Sequence, residues 1–584
     1  MPNVDEILRF CFNEIGKIES VRLFNSFLDK HPQYIQAWEL TTTITLQPPA
    51  EKISFIIAFK PSFPYSMPEI YYNDTKYDYF PHIDYENRKF CLYEDEIAYD
   101  VGNPLILIIT SVRRAKEIII QGVSGKNSAD FLSEIKSYWN ISYNHEPTIE
   151  WWGWVHSLTL NKTSRYVNLW IFSKNKTLRC KGCIVEKDDA MPDYMQQLKS
   201  NYGCTCHEIL YIGQLQLPDK PPYDISTNKL LSIVSKEDTL LIKRYINQCH
   251  SKTVIVFKLE QTNLLGGFYF EPINTNRKGF RPRVLTPFGV ISKIEQNKKL
   301  PRILVDEYSS HRITIRTSGE SSPHYKFVIA GLGSIGSNLC HFLNSANCPT
   351  FTLIDPDILS VDNIGRHLLG FNALYKHKVE GVKEYLKMIR PEQNISVFAD
   401  SIESVLSKDA PLINKNDCLF LVTGNIMSEL FIRKYQEEQL LTIPVFIIWL
   451  EPYGLAGHMV YLNPNSDLSK ISLYSDQNTY LYKYNIIHKD EYNHSQNKFI
   501  KRDAGCNGAY TLYSNNDVMA FLSAIYPKIN TLIRQKDSKS HCYRWNGDMS
   551  LAKKYQIRLV NEVSSFSPVS YTHLRAHETD SYLV

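Results

Sequence analysis

The chain has 584 residues, of which 43% are hydrophobic and 22% charged; this balance excludes a mostly disordered polypeptide and leaves room for about three or four domains. Lys and Arg total 65 against 61 Asp and Glu, a net charge of +4 that gives no electrostatic case for nucleic acid as a partner. The longest apolar runs, Pro104–Ile109 and Ile443–Leu450, are far shorter than the ~20 residues of a membrane span, so no membrane role is expected. Residues Met1–Glu6 show no basic-then-apolar leader, and the 12 cysteines are scattered rather than framed for disulfides, which predicts a reducing, cytoplasmic setting.

In chain order, three zones are expected. In the first, residues 1–150, apolar side chains at Ile7, Leu8, Cys11, Phe12 and Ile15 predict a helix, with a second reaching Leu28. Alternation predicts strands at Trp38–Leu46 and Ile53–Phe59, closed by a proline-punctuated turn at Pro61–Pro68; helical patterns then run from beyond Cys91 to Tyr138 and Trp139. The second zone, 151–300, is aromatic-rich and mixed, with a connector at Pro218–Tyr223. Its Cys180, Cys183, Cys204, Cys206 and His207 could hold a structural zinc, but the single-residue spacing of Cys204 and Cys206 is irregular and plain thiols are the favoured reading. The third zone, 301–567, alternates strand and helix (Lys326–Ala330, Ile335–Ser345, Thr350–Ile354), which implies a parallel sheet covered on both faces. Residues 568–584 have no apolar periodicity, and Pro568–Thr579 resembles a translated sequencing adapter, so a native chain of about 567 residues with its true end missing is expected.

Chemistry concentrates first in the third zone. A buried-strand pattern, Phe327–Ala330, runs directly into Gly331-Leu-Gly333-Ser-Ile-Gly336 and an apolar helix. Glycines let the backbone approach a phosphate, and the helix start offers unpaired N–H groups and a positive dipole end. The next strand ends at Asp355-Pro-Asp357, placed for a ribose hydroxyl pair. By itself this pattern suits a dehydrogenase equally well. The continuation, Asn363 and Arg366 with Lys378 twelve residues on, resembles the adenylating domain of the ThiF/MoeB and ubiquitin-activating superfamily. That resemblance implies ATP, adenylation of a protein's C-terminal carboxylate, Arg366 and Lys378 as phosphate clamps, Asp355 as ribose acceptor and Asn363 supporting the phosphates. Spreading charge in an in-line attack on a phosphate needs such cations, whereas a nicotinamide site does not. Magnesium is implied too, but the family's acid after the strand Cys418–Val422 is replaced by Thr423-Gly-Asn425, so its ligands stay open.

Two cysteines are candidate nucleophiles. Cys506 lies in the Gly-flanked Ala504-Gly-Cys506-Asn-Gly508 ahead of an apolar helix, where the resemblance implies capture of the acyl group as a thioester. In the first zone, Pro61, Pro64, Pro68, His82, Asp84 and Cys91, nine residues after His82, stand in the order of a ubiquitin-conjugating domain, which residues 5–140 resemble. Cys91 then receives the acyl group and presents it to an amine, with His82 organising the loop. Asp84 stands where the family has an Asn that supports the oxyanion, which leaves its role open. The expected fold class is a multidomain α/β chain: an N-terminal α+β conjugating-like domain, a mixed linker domain and a C-terminal Rossmann-like adenylation domain.

The whole order resembles the fused activating–conjugating enzymes of bacterial CBASS antiphage operons. It implies a homodimer that joins the C-terminal tail of a cGAS/DncV-like nucleotidyltransferase to lysine-bearing acceptors. Three other readings share part of the pattern: an enzyme for a bacterial ubiquitin-like protein, a sulfur-carrier adenylyltransferase that leaves Cys91 without a task, and a Rossmann-type redox enzyme or nucleotide-binding module that leaves both cysteines, Arg366 and Lys378 without one.

Overall fold

The computed structural model describes residues 3–46, 50–77, 80–84, 87–93, 100–140, 150–156, 158, 160–173, 182–189, 195–196, 199–200, 203–221, 223–248, 253–260, 262, 264–281, 284–320, 323–346, 349–466, 473–474, 482–494, 499–502, 509–536, 538–560 and 570–573. They fall into two compact units, one built from residues 1–190 and 199–307, the other from 191–198 and 308–584.

The first unit opens with the helix Val4–Ile15, which buries Leu8, Cys11 and Ile15 at the expected spacing. An antiparallel meander follows: β1 (Ser20–Leu23), β2 (Gln36–Ile44), β3 (Glu51–Phe59) and β4 (Glu69–Tyr72). The second helix expected to reach Leu28 is reduced to the turn-length Asn25–Leu28, because Ser20–Leu23 is drawn into edge pairing with Trp38–Thr41. Alternate residues of β2 and β3, including Trp38, Leu40, Phe55 and Ile57, pack under Val4–Ile15 and the long helix Pro104–Val123.

The aromatic-rich middle zone forms a closed barrel, a topology its sequence pattern does not disclose. Among the described residues it comprises β5 (Glu150–His156), β6 (Arg165–Phe172), β7 (Gly182–Glu186), β8 (Cys204–Ile212), β9 (Thr253–Lys258), β10 (Leu265–Phe270) and β11 (Arg302–Tyr308), in the order β10-β11-β5-β7-β6-β8-β9. Closure leaves no free edge to cover.

The second unit is built on one large sheet. Strands β12 (Lys326–Ala330), β13 (Thr350–Ile354), β14 (Ile395–Phe398), β15 (Cys418–Leu421) and β16 (Val445–Leu450) are parallel in the order β14-β13-β12-β15-β16. The sheet continues antiparallel through β17 (Ala456–Leu462), β20 (His541–Asn546) and β21 (Ser570–His573), while β18 (Ile500–Arg502) and β19 (Ala509–Thr511) form a separate ribbon. Phe327, Ile329, Phe351 and Leu353 face the helices Ser334–Ala346, Lys378–Ile389 and Asn515–Gln535; Val328, Ala330, Leu419 and Leu421 face Ile402–Asn414 and Ile426–Glu437. Both faces are thus covered, as strand–helix alternation requires. The terminal stretch contributes Ser570–His573 to the open edge of β20, since a short β-prone segment satisfies unpaired edge groups. No helix of the described residues is long and apolar enough to cross a membrane.

Candidate active site

The chain leaves β12, turns through the glycine loop, builds β13 and β14 on one side, and returns to place β15 on the other. Such a reversal opens a crevice beyond the carboxyl ends of the strands. A cavity of about 550 Å³ lies there, lined by Gly333, Asp357, Arg366, Lys378, Thr423 and the aromatic Trp449, Tyr482, Tyr492, Phe499 and Tyr513.

The loop's shape follows from its glycines. Gly331 has φ 89°, and a Cβ there would press on the Val422 backbone; a Cβ at Gly336 would overlap the Gly331 carbonyl. Gly333 differs, because nothing lies within 4 Å of where its Cβ would stand, and it faces the cavity. Open backbone at a helix start with two cations on the same cavity suits a polyphosphate.

Below the loop, the buried Asp355 carboxylate accepts the N–H groups of Leu332 at 2.5 Å and Asp357 at 2.8 Å. Burial raises its pKa, against the pull of Lys378 and those two N–H groups. Asp357 lines the cavity wall, 2.7 Å from the Lys378 ammonium. Arg366 donates to the Thr511 carbonyl at 2.7 Å and lies over the Tyr513 ring at 4.8 Å. Asn363 closes a cap, its Oδ1 accepting the Ser360 N–H at 3.1 Å. Gly331, Gly333, Gly336, Asp355, Asp357, Asn363, Arg366 and Lys378 are therefore brought around one crevice, with Asp355 supporting the loop and Asp357 presented to the cavity.

In the other unit Cys91 is exposed on the loop after β4. Its N–H donates to the His82 carbonyl at 2.9 Å, and an isolated bridge between Ile83 and Phe90 joins the two limbs. His82 adopts φ 65° and its Nε2 lies 3.0 Å from Asp130. The Asp84 carboxylate accepts the Asn87 N–H at 2.9 Å, so this acid serves a local turn.

The sequence of the second unit matches the ThiF family over residues 313–483, and residues 31–146 match prokaryotic E2 family B. The chain fuses an E2-like domain to a ThiF domain. Its relatives include tRNA threonylcarbamoyladenosine dehydratase 1 of Saccharomyces cerevisiae, 29% identical over 18% of this chain and 26% of that protein. Molybdopterin-synthase adenylyltransferase of Haemophilus influenzae is 32% identical over 17% of this chain and 41% of that protein. The ATP-dependent ubiquitin transferase-like protein Cap2 of Pseudomonas aeruginosa is 39% identical over 12% of this chain and 13% of that protein. In each case the chain spans less than half of the relative's length.

Several residues of the ThiF domain that sequence reasoning passed over shape its crevice. His367 donates from Nε2 to the Leu332 carbonyl at 2.7 Å and accepts the Leu369 N–H at Nδ1; burial lowers its pKa to about 4 and keeps it neutral. Glu451, fully buried, accepts the Ile486 and Ile487 N–H groups and pairs with His458 at 2.6 Å. Trp449 stacks between His458 and Tyr482 at 4.8 and 4.1 Å. Buried Glu429 accepts the Tyr474 and Tyr482 hydroxyls, and burial raises its pKa to about 7. Only the position of His367 beside Arg366 hinted at any of these.

Asn425 caps the helix Ile426–Glu437, its Oδ1 accepting the Met427 N–H at 2.9 Å. Among the described residues no group of three His, Cys, Asp or Glu is poised for a metal. Magnesium held with phosphates needs only one or two carboxylates; of the two acids lining the cavity, Glu451 is engaged by the Ile486 and Ile487 N–H groups and by His458, and the more exposed Asp357 could supply one. Cys506 and Cys180 lie outside the described residues. Cys183 and Cys206 are both register partners of Trp170, on opposite sides of β6, so about 10 Å of sheet separates their backbones.

Proposed function

We propose that this chain is an ATP-dependent protein-conjugating enzyme. The observation that carries the reading is the ThiF crevice, where an open glycine backbone, two cations and two acids meet, in one chain with an E2-like domain that exposes Cys91. ATP is the substrate the crevice fits: the N–H groups at the start of the helix Ser334–Ala346 and the cations Arg366 and Lys378 bind its phosphates, and Asp357 or Asp355 its ribose. A partner's C-terminal carboxylate attacks the α-phosphate and pyrophosphate leaves. The Cys506 thiolate then displaces AMP to give a thioester, and Cys91 takes the acyl group by exchange of one thioester for another. An acceptor lysine finally attacks the Cys91 thioester, forming an amide and freeing the thiol. The names of the Haemophilus influenzae and Pseudomonas aeruginosa relatives, an adenylyltransferase and an ATP-dependent ubiquitin transferase-like protein, agree with this chemistry. The partner that suits it is the C-terminal tail of a cGAS/DncV-like nucleotidyltransferase, handled by a homodimer in antiphage defence.

The test is intact-mass analysis of the full chain with ATP, magnesium and such a partner. Thiol-sensitive adducts are expected on both cysteines, and Cys506→Ala should leave Cys91 unloaded. Loading of Cys91 in Cys506→Ala would refute the relay, and absence of ATP–pyrophosphate exchange with the partner present would refute adenylation.

A further inference from the structure

Between the E2-like core and the barrel, residues 130–139 carry two interleaved rows at helical spacing. Phe131, Ile135 and Trp139 are buried with the barrel's core side chains rather than with those of the meander. Trp139 is fully buried, packs edge-on to Phe257 and Phe268 at 5.5 and 5.6 Å, and donates from Nε1 to the Ile303 carbonyl at 3.0 Å. Lys136, on the same short helix Ile135–Trp139, pairs with Asp306 of β11 at 2.8 Å.

The second row, Asp130, Glu134 and Tyr138, answers to the Cys91 loop, while the Tyr138 ring itself packs in the barrel's cluster beside Phe131 at 5.1 Å. The Tyr138 hydroxyl accepts the His82 N–H at 3.1 Å, and burial, with the neighbouring Glu134 carboxylate, raises its pKa and keeps it protonated. The His82 ring places Nε2 3.0 Å from Asp130 and Nδ1 3.6 Å from Glu134, while the His82 carbonyl takes the Cys91 N–H. A non-glycine residue at positive φ persists where its surroundings over-determine it, and here backbone N–H, backbone carbonyl and ring are all engaged. Three contacts from one segment therefore hold His82, and His82 holds Cys91.

We propose that Tyr138 is a positioning residue for Cys91, and that the barrel sets the geometry of the transfer site through the Trp139–Tyr138 pair. This rests on the reading of Cys91 as the acyl-carrying thiol. Without the Tyr138 hydroxyl the His82 N–H loses its acceptor, the left-handed turn relaxes, and the Cys91 backbone loses its fixed partner. The barrel is then part of the E2-like site rather than a spacer.

The experiment uses the full chain and two conservative variants. Tyr138→Phe keeps the ring against Phe131, and Trp139→Phe keeps an aromatic core residue but loses the donor to Ile303. Transfer from loaded Cys91 to free lysine should slow roughly tenfold at saturating amine in Tyr138→Phe, with half-saturation and melting temperature unchanged. Trp139→Phe should slow it less, and should add nothing in the Tyr138→Phe background. The rate of Cys91 alkylation by iodoacetamide, read by peptide mass, should change in the same non-additive pattern without ATP. Alkylation and transfer within twofold of wild type in Tyr138→Phe, or additive effects of the two changes, would overturn the proposal. If wild-type Cys91 never takes an acyl group, the conjugation reading fails, and the alkylation pattern alone still decides the positioning role.

Discussion

Lys378 and Asp357 form an ion pair whose two ends are unequal, since the lysine side chain is 8% exposed and the aspartate side chain 64%. Lys378→Ala returns Asp357 to water and should cost the domain under about 1 kcal/mol, yet it removes a cavity cation and should lower ATP–pyrophosphate exchange by about 10²–10³-fold. Asp357→Ala should do the reverse on stability, leaving a buried ammonium without its partner at a cost of about 2–3 kcal/mol. Urea midpoints should therefore fall further in Asp357→Ala than in Lys378→Ala, while the loss of exchange in Lys378→Ala should far exceed what its small loss of stability explains. A second residue-scale contrast concerns pH. The buried, neutral His367 titrates near 4 rather than 6.5, so its contribution is complete above pH 6.5 and is lost as pH falls towards 4. Glu429 titrates near 7 rather than 4.5, so its contribution is complete below pH 4.5 and is lost as pH rises through 7. Each is worth about 3 kcal/mol across its window, and their slopes oppose each other between pH 4.5 and 6.5. The wild-type ThiF-domain urea midpoint should be nearly flat there. His367→Gln should make it fall as pH rises, and Glu429→Gln should make it fall as pH drops; parallel slopes in the two variants would contradict the assignment.

At the scale of elements, the strand–loop–helix that opens the ThiF domain makes its glycines separable. Gly336→Ala drives a Cβ into the Gly331 carbonyl, backbone that has no flexible end to yield, so the domain should lose several kcal/mol, on the order of an overpacked core site. Gly333→Ala meets nothing within 4 Å, so its melting temperature should hold while ATP binding weakens at least about tenfold. Calorimetry with and without ATP separates the two. This element was legible in sequence because its signals are local: β12 and β13 stand at Lys326–Ala330 and Thr350–Ile354 as the apolar runs require. The helix following the loop is one residue longer at each end than its apolar pattern. The supports of the crevice were not legible, for the opposite reason. Glu451 is met by the N–H groups of Ile486 and Ile487, and Arg366 by the carbonyl of Thr511, across 35 to 145 residues of chain. Nothing in local pattern announces such pairings. The barrel was hidden likewise, because β5 and β7 pair in parallel, and β8 and β9 in parallel, among antiparallel neighbours, so its strands do not follow one another as a run of hairpins.

At the scale of the whole molecule, the question is which core owns residues 130–139. A boundary near residue 150 is the one that composition suggests, because the aromatic-rich zone begins there, and the E2-like match itself runs to residue 146. Burial divides the chain earlier. The apolar cluster under the meander draws its last buried member from Ile119, and the barrel's cluster takes its first from Phe131. Sequence could show a helical pattern ending at Tyr138 and Trp139, but not which distant strands would receive it, since Trp139 meets Phe257, Phe268 and Ile303 more than a hundred residues on. The consequence is measurable by dissection. A fragment of residues 127–307 keeps Phe131, Ile135 and Trp139 in the barrel and should unfold cooperatively. A fragment of residues 150–307 lacks all three, and deleting a buried Trp alone costs about 3–5 kcal/mol, a large share of a domain's ~5–15 kcal/mol. That shorter fragment should melt broadly or aggregate, whereas residues 1–125 should still fold, because the meander's core is complete by Ile119. Within residues 1–125 the Cys91 amide should exchange with solvent faster than in the full chain, because Tyr138 no longer holds the His82 carbonyl in place for it. Equal protection of Cys91 in the two would place the support of that loop inside the meander, and equal stability of the two barrel fragments would remove residues 130–139 from the barrel's core.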